Sequence, residues 1–303
     1  MKLEKEKSYS FWEVIFFSNF FMGLMSLGLN LETNIKLNIP LNSIPYYLSV
    51  VSATILFYLF AYRIPKGLKK STNPRTHFYI VKRKSLYWFS IILGLICVIS
   101  GSWVLISKFH LILQIHWLHY VILGVTFVLA TSYYNWKFGL SLRKYTWLKP
   151  ILIAWTWAIT TVYLPILLLN QIHLFYDPKF YFLFSQTFMY FIVNAIMFDM
   201  KDYEDDYNRG LKTFAVKYGI KFMLNLVIIP LIFIGFLSFI LFGIYDHLPV
   251  HRVIFMLIPI LLMAVFANQL NRPKSILFYL IAIDGMILVK AIFGILSFLL
   301  FES

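Results

Sequence analysis

The sequence "FDMKDYEDDYNRGLKT", residues 198–213, places five acidic residues within eight positions, directly after a long apolar run. The whole chain of 303 residues has only 13 acidic residues. Ionisable groups are costly at a membrane and are retained there chiefly for function. The segment therefore predicts a membrane-embedded chain that gathers its polar chemistry at one interface.

The composition predicts an all-α, polytopic membrane protein. The chain is 60% hydrophobic and 13% charged, with a mean hydropathy of +0.77, whereas soluble domains are about 25% charged. A helix of about 20 apolar residues is long enough to cross a bilayer. The sequence has nine apolar runs of about this length, and it therefore predicts a bundle of nine transmembrane helices: 11–30, 44–62, 85–106, 115–134, 149–170, 180–199, 220–244, 253–270 and 275–300.

The distribution of basic residues predicts the orientation of this bundle. If successive helices alternate in direction, 22 Lys and Arg residues fall on the side of the N-terminus and four on the other side. Cytoplasmic loops carry such an excess, so the N-terminus is expected in the cytoplasm and the C-terminus outside, in the plasma membrane of a bacterium. The net charge of +14 is thereby explained without nucleic acid. We expect one transmembrane domain, 1–303, with cytoplasmic functional loops at 63–84 and 199–219.

The acidic segment has the spacing of a metal site. On a helix, Asp199, Asp202 and Asp206 fall within an arc of about 60°, where three carboxylates repel one another. Mg²⁺ relieves such repulsion and also binds phosphate oxygens. These three residues are the predicted metal ligands, Asp202 and Asp206 are the predicted catalytic pair, and Asp205 is a secondary candidate.

The same residues carry a family resemblance. Asp199, Asp202, Asp206, Gly210 and Thr213, followed by "FAVKYG", resemble the second aspartate-rich motif of the UbiA superfamily of intramembrane prenyltransferases, and "YNWKFGLSLRKYTWLKPILIAWTWAITTVYLP", 134–165, resembles its fourth loop and fifth helix. The resemblance implies nine transmembrane helices, with aspartate-rich cytoplasmic loops after the second and the sixth. It also implies that Mg²⁺ assists the ionisation of an isoprenyl diphosphate and that the prenyl group passes to a lipophilic acceptor.

The loop after the second helix departs from the family pattern. No acidic residue occurs from Arg63 to Lys84, where the family has its first aspartate motif. Basic side chains can hold phosphate in place of a metal. The predicted diphosphate-binding residues are Arg63, Lys66, Lys137, Arg143 and Lys212. Two alternatives stay open: a protein of this fold that binds an isoprenoid or another lipid without transfer, and a terpene cyclase that uses the same ionisation step.

Polar residues inside the helices are further candidates. Asn194 precedes Asp199 by five positions and either reaches the same cavity or forms a hydrogen bond between helices. Asp284 is the only acid of the last apolar run, so it should face the interior of the bundle or pair with a partner, either as a structural contact or as a contact to substrate. Glu32 follows the first apolar run and is expected at the outer surface, and Lys290 lies within the last helix.

Overall fold

The computed structural model of the chain describes residues 9–62, 73–133, 148–201, 214–272 and 274–300. Every regular element within these ranges is helical, as the composition predicts. In chain order the helices are α1 Phe11–Phe17, α2 Phe20–Lys36, α3 Ile44–Ala61, α4 Pro74–Val81, α5 Arg83–Ser107, α6 Phe109–Gln114, α7 Trp117–Tyr133, α8 Leu148–Leu168, α9 Pro178–Lys201, α10 Phe214–Tyr218, α11 Ile220–Tyr245, α12 Val250–Gln269 and α13 Ile276–Leu299. A short 3₁₀ helix, Ile172–Tyr176, precedes α9.

Several of the helices are long enough to span a membrane. Seven of them meet the length and hydropathy that a span requires, and the bent pair of α1 and α2 adds an eighth if it counts as one span. Helix α7 is apolar but shorter. The described residues thus confirm a helical membrane protein, whereas the number of nine spans is not confirmed.

The first apolar run is not a single helix, contrary to the expectation for 11–30. Helix α1 begins with a capping box, in which Ser10 and Glu13 each bond the backbone N–H of the other. Asn19 then adopts a positive φ of 61°, a conformation that Asn tolerates better than most residues. The axes of α1 and α2 consequently differ by 70°.

The chain divides into two compact units. The first comprises Met1–Leu27 and Ile44–Val104, and the second comprises Gly28–Ser43 and Leu105–Ser303. In the first unit, the Asn19 amide donates to the Tyr79 hydroxyl at 2.7 Å and accepts from the Arg75 guanidinium. Burial raises the pKa of Tyr79 to about 12, so this hydroxyl stays neutral at physiological pH.

Apolar packing holds the second unit together. The Trp157 ring of α8 stacks on the Phe191 ring of α9 with 4.6 Å between centroids. Helix α9 also packs against α11 and α13. Together with α12 these helices form a core whose most buried members include Met197, Met223 and Ile283. These contacts fix α9 on two sides, so residues along α9 have defined neighbours.

Three helices of the second unit contain π-helical turns, at Ile159–Tyr163, Met223–Ile228 and Tyr279–Ile283. A π turn interrupts the α-helical hydrogen-bond ladder and often lies near a functional site. Two carbonyls in these turns accept a bond from another helix: Thr161 O from the Thr33 hydroxyl at 2.7 Å, and Ile283 O from the Asn194 amide at 3.1 Å. Buried polar side chains of α2 and α9 therefore satisfy backbone groups in the bilayer region.

Candidate functional site

Asp199 lies near the C-terminal end of α9 and is 2% exposed. Its carboxylate forms an ion pair with the ammonium of Lys149, at the start of α8. The helix packing explains this pairing. Lys149 precedes Trp157 by eight residues and Asp199 follows Phe191 by eight, so the stacked rings of two antiparallel helices bring the two charges to the same end. Asp199 is thus a buried carboxylate whose charge a lysine neutralises.

Most of the other predicted site residues lie outside the described ranges. This holds for Asp202, Asp205, Asp206, Arg63, Lys66, Lys137, Arg143 and Lys212, whose roles stay predictions. Within the part of the chain that the structure describes, no three His, Cys, Asp or Glu side chains gather as a metal site would need. Asp199 is therefore the one predicted metal ligand whose surroundings are defined.

Asn194 and Asp284 meet between α9 and α13. The Asn194 amide donates to the Ile283 carbonyl and, at 3.4 Å, to the Asp284 carboxylate. Asp284 is 4% exposed and faces the interior. Of the two expectations for Asn194, these contacts support the hydrogen bond between helices. The amide thus donates to the carbonyl of a π turn and to one carboxylate oxygen of the acid that follows it.

A second group of charges is almost completely buried among α2, α9 and α13. Glu32 pairs through one carboxylate oxygen with Lys36 and through the other with Lys290, each at 2.7 Å. All three residues are 1–2% exposed. The Lys290 ammonium also contacts the Thr187 hydroxyl at 3.4 Å. We call Glu32, Lys36 and Lys290 the buried charge cluster; it joins α2, α9 and α13.

Glycine makes room for the buried charge cluster. A Cβ at Gly294 would lie 2.4 Å from a carboxylate oxygen of Glu32, and one at Gly28 would lie 3.2 Å from Leu288. Because neither glycine has a side chain, α2 approaches α13 closely enough for Glu32 to reach Lys290.

The prediction that Glu32 lies at the outer surface is wrong, because Glu32 is 1% exposed and bonded on both oxygens. The sequence did contain a signal. Glu32 and Lys36 have the i,i+4 spacing of a helical ion pair, and Lys290 is a cation inside an apolar helix, where an ionisable residue needs a partner. No local pattern, however, connects residues 258 positions apart.

Comparison with known proteins gives a family match. The model of the UbiA prenyltransferase family matches residues 79–277, which is about two thirds of the chain and includes the acidic segment. No curated protein and no solved structure matches the chain.

Proposed function

The chain belongs to the UbiA prenyltransferase family, and from this premise we propose that it binds an isoprenyl diphosphate with Mg²⁺ at the acidic end of α9. The prenyl group then passes to a lipophilic acceptor. The observation that carries the proposal is Asp199, a carboxylate held at 2% exposure where the family motif begins. A buried acid at the end of a membrane helix is costly unless it serves a ligand or a partner.

The donor chemistry of Asp199 suits the metal. Mg²⁺ is a hard cation that takes one or two carboxylates together with substrate phosphate oxygens. Asp199 would hold it, joined by Asp202 and Asp206 if the segment continues as a helix. A Mg²⁺ ion held there would supply positive charge against the charge that develops on the departing diphosphate.

Lys149 can change its partner when substrate binds at this end of the bundle. Its ammonium neutralises Asp199, so the carboxylate is stable without metal. A diphosphate offers the ammonium a more highly charged partner. We propose that Lys149 turns to the diphosphate when substrate binds and leaves Asp199 to the metal. Lys137, Arg143 and Lys212 are proposed to bind the remaining phosphate oxygens.

The reaction that follows needs an environment without water. The allylic C–O bond breaks with its electron pair going to the diphosphate, the prenyl cation attacks the acceptor, and the acceptor then loses a proton. Water would capture the cation, and the apolar helices α8 and α9 exclude it. We further propose that this end faces the cytoplasm of a bacterium and that the protein serves isoprenoid biosynthesis.

The test measures diphosphate release from geranylgeranyl diphosphate by purified protein with native lipid extract as the acceptor source, with and without Mg²⁺. Asp199→Asn should lower the rate about a hundredfold, the order of effect seen when one electrostatic stabiliser is removed. Asp246→Asn is the matched control. Asp246 pairs with Lys179, at the opposite end of α9 and about 30 Å from Asp199 at 1.5 Å per residue.

Binding of a non-hydrolysable analogue separates binding from transfer. Loss of Mg²⁺-dependent binding in Asp199→Asn, with binding retained in Asp246→Asn, supports the proposal. Equal binding with and without Mg²⁺, or an unchanged Asp199→Asn rate, contradicts it. Binding without diphosphate release would favour a non-catalytic isoprenoid binder. Release with a cyclised hydrocarbon as product would favour a terpene cyclase.

A further inference from the structure

The buried charge cluster lies away from the acidic end of α9. Thr187 and Tyr190, which border it, precede Asp199 by 12 and 9 residues, or about 14–18 Å along the helix axis. We propose that this cluster, with polar atoms of α9 beside it, binds the carboxylate of a membrane-dissolved acid. This site does not depend on the proposed prenyl transfer.

The cluster carries an excess of positive charge. One carboxylate faces two ammonium groups, and no other acid of the described chain forms an ion pair with either lysine. The C-terminal end of α2 offsets part of this charge near Lys36, and the rings of Phe239 and Tyr190 lie 5.3 Å and 5.7 Å from the two ammonium nitrogens. Among the described residues a full counter-charge is missing, and an uncompensated ion is expensive in such surroundings.

Several hydrogen-bonding groups beside the cluster have no partner among the residues that the structure describes. The Lys36 ammonium has three N–H donors, and its one ion pair in the described chain is with a single oxygen of Glu32 at 2.7 Å. The Tyr190 hydroxyl and the Gln186 side-chain carbonyl, on residues 2% and 1% exposed, have no partner there. A buried polar atom without a partner is destabilising. Two such atoms, beside an ammonium with donors to spare, indicate a polar occupant.

The residues that carry these groups border one segment of α11, Ser238 and Phe239. The Phe239 centroid lies 5.3 Å from the Lys36 ammonium and 6.3 Å from the Tyr190 ring. Gln186 donates at 3.5 Å to the carbonyl of Ser238, the neighbour of Phe239. Gln186 and Tyr190 are four residues apart and share a face of α9. Residues of α2 and α9 that carry an ammonium, a hydroxyl and an amide carbonyl therefore border the same two residues of α11, Ser238 and Phe239.

A carboxylate matches this arrangement in charge and in bonding. Its single negative charge balances the single excess positive charge, whereas a phosphate monoester carries about −1.5 to −2. Its two oxygens can accept from the Lys36 ammonium and from the Tyr190 hydroxyl. The Gln186 carbonyl needs a donor, which a hydroxyl on the ligand or a bound water supplies. The surrounding helices are apolar, so the acid should carry a hydrophobic body.

The test uses the purified full chain in neutral detergent, with decanoate as the probe. Three compounds serve as comparisons. Decanamide has the same chain without the charge, decyl sulfate is another monoanion, and acetate is a carboxylate without the chain. We expect decanoate alone to raise the midpoint of thermal unfolding in a saturable manner, because a ligand that binds only the folded state stabilises it. If decanamide raises the unfolding midpoint as much as decanoate does, the proposed site for a charged ligand is wrong. If decyl sulfate raises it equally, the site does not select a carboxylate. If acetate raises it equally, the ligand needs no hydrophobic chain and does not come from the membrane.

Lys36→Met identifies the site. The variant keeps the Glu32–Lys290 pair, which is neutral overall, so the protein should fold. Decanoate should bind at least about tenfold more weakly, because a hydrogen bond to a charged group contributes about 1.5–3 kcal/mol. Lys179→Met, at a partly exposed ion pair of the same unit, is the matched control and should bind as wild type does. Tyr190→Phe removes only a hydroxyl and should weaken binding several-fold without loss of stability. Wild-type decanoate affinity in either Lys36→Met or Tyr190→Phe would overturn the proposal.

Discussion

Replacing Glu32 by Gln should destabilise the protein strongly, because it leaves two buried ammonium groups without a counter-charge. The substitution keeps the size of the side chain, so no cavity contributes. Glu32 makes two ion pairs of 2.7 Å in which every side chain is about 1% exposed. Removing one partner of a buried ion pair costs about 3–5 kcal/mol, and here the loss of a single carboxylate leaves two ammonium groups facing each other. We therefore expect at least the upper part of that range.

The assay is reversible unfolding of the purified protein in mixed detergent micelles, followed by tryptophan fluorescence. Asp246→Asn serves as the control, because Lys179 and Asp246 are partly exposed, at 33% and 14%, and such pairs contribute about 0–1 kcal/mol. The triple variant Glu32→Leu, Lys36→Met, Lys290→Met removes all three charges together and should recover most of the lost stability. A Glu32→Gln loss below about 1 kcal/mol, equal to the control, would refute the reasoning.

Two further substitutions test how α13 meets its neighbours. Gly294→Ala should lower the free energy of unfolding by about 1–3 kcal/mol, because its Cβ would lie 2.4 Å from the Glu32 carboxylate. Gly285→Ala is the control, since a Cβ there has nothing within 4 Å and should not destabilise the protein. The same unfolding assay compares the two variants, and equal losses would contradict the steric explanation. Asn194→Leu should cost about 1–3 kcal/mol by leaving the Ile283 carbonyl without its donor, and amide hydrogen exchange should increase locally around the π turn of α13; unchanged exchange would show that this bond does not hold the turn.

The acidic end of α9 shows which features a local sequence pattern can predict and which it cannot. The spacing of the aspartates predicted a metal site and the resemblance predicted a UbiA protein, and the family match over residues 79–277 confirms the membership. The pairing of Asp199 with Lys149 was not predicted, because the two residues are 50 positions apart and meet only through the packing of Trp157 on Phe191. The predicted roles of Asp202 and Asp206 fall on residues outside the described ranges.

The break between α1 and α2 shows where hydropathy fails to predict helix boundaries within a single apolar run. The hydropathy of residues 11–30 is continuous, so it predicts one span. Asn19 interrupts the run through its backbone conformation, with a φ of 61°, and through the bonds of its side chain to Tyr79 and Arg75. Hydropathy describes how apolar a segment is. It does not take into account a side chain that forms hydrogen bonds with a distant helix.

The sequence by itself determined the class of this protein, because the bilayer imposes on each helix a length and an apolar composition that can be recognised one segment at a time. It also determined the place of the acidic segment, since five carboxylates within eight positions form a local pattern. Only the tertiary structure decided that Glu32, Lys36 and Lys290 form one buried charge cluster. The physical reason is that an ion inside an apolar bundle needs a partner, and which partner it finds depends on the packing of helices that are distant in sequence.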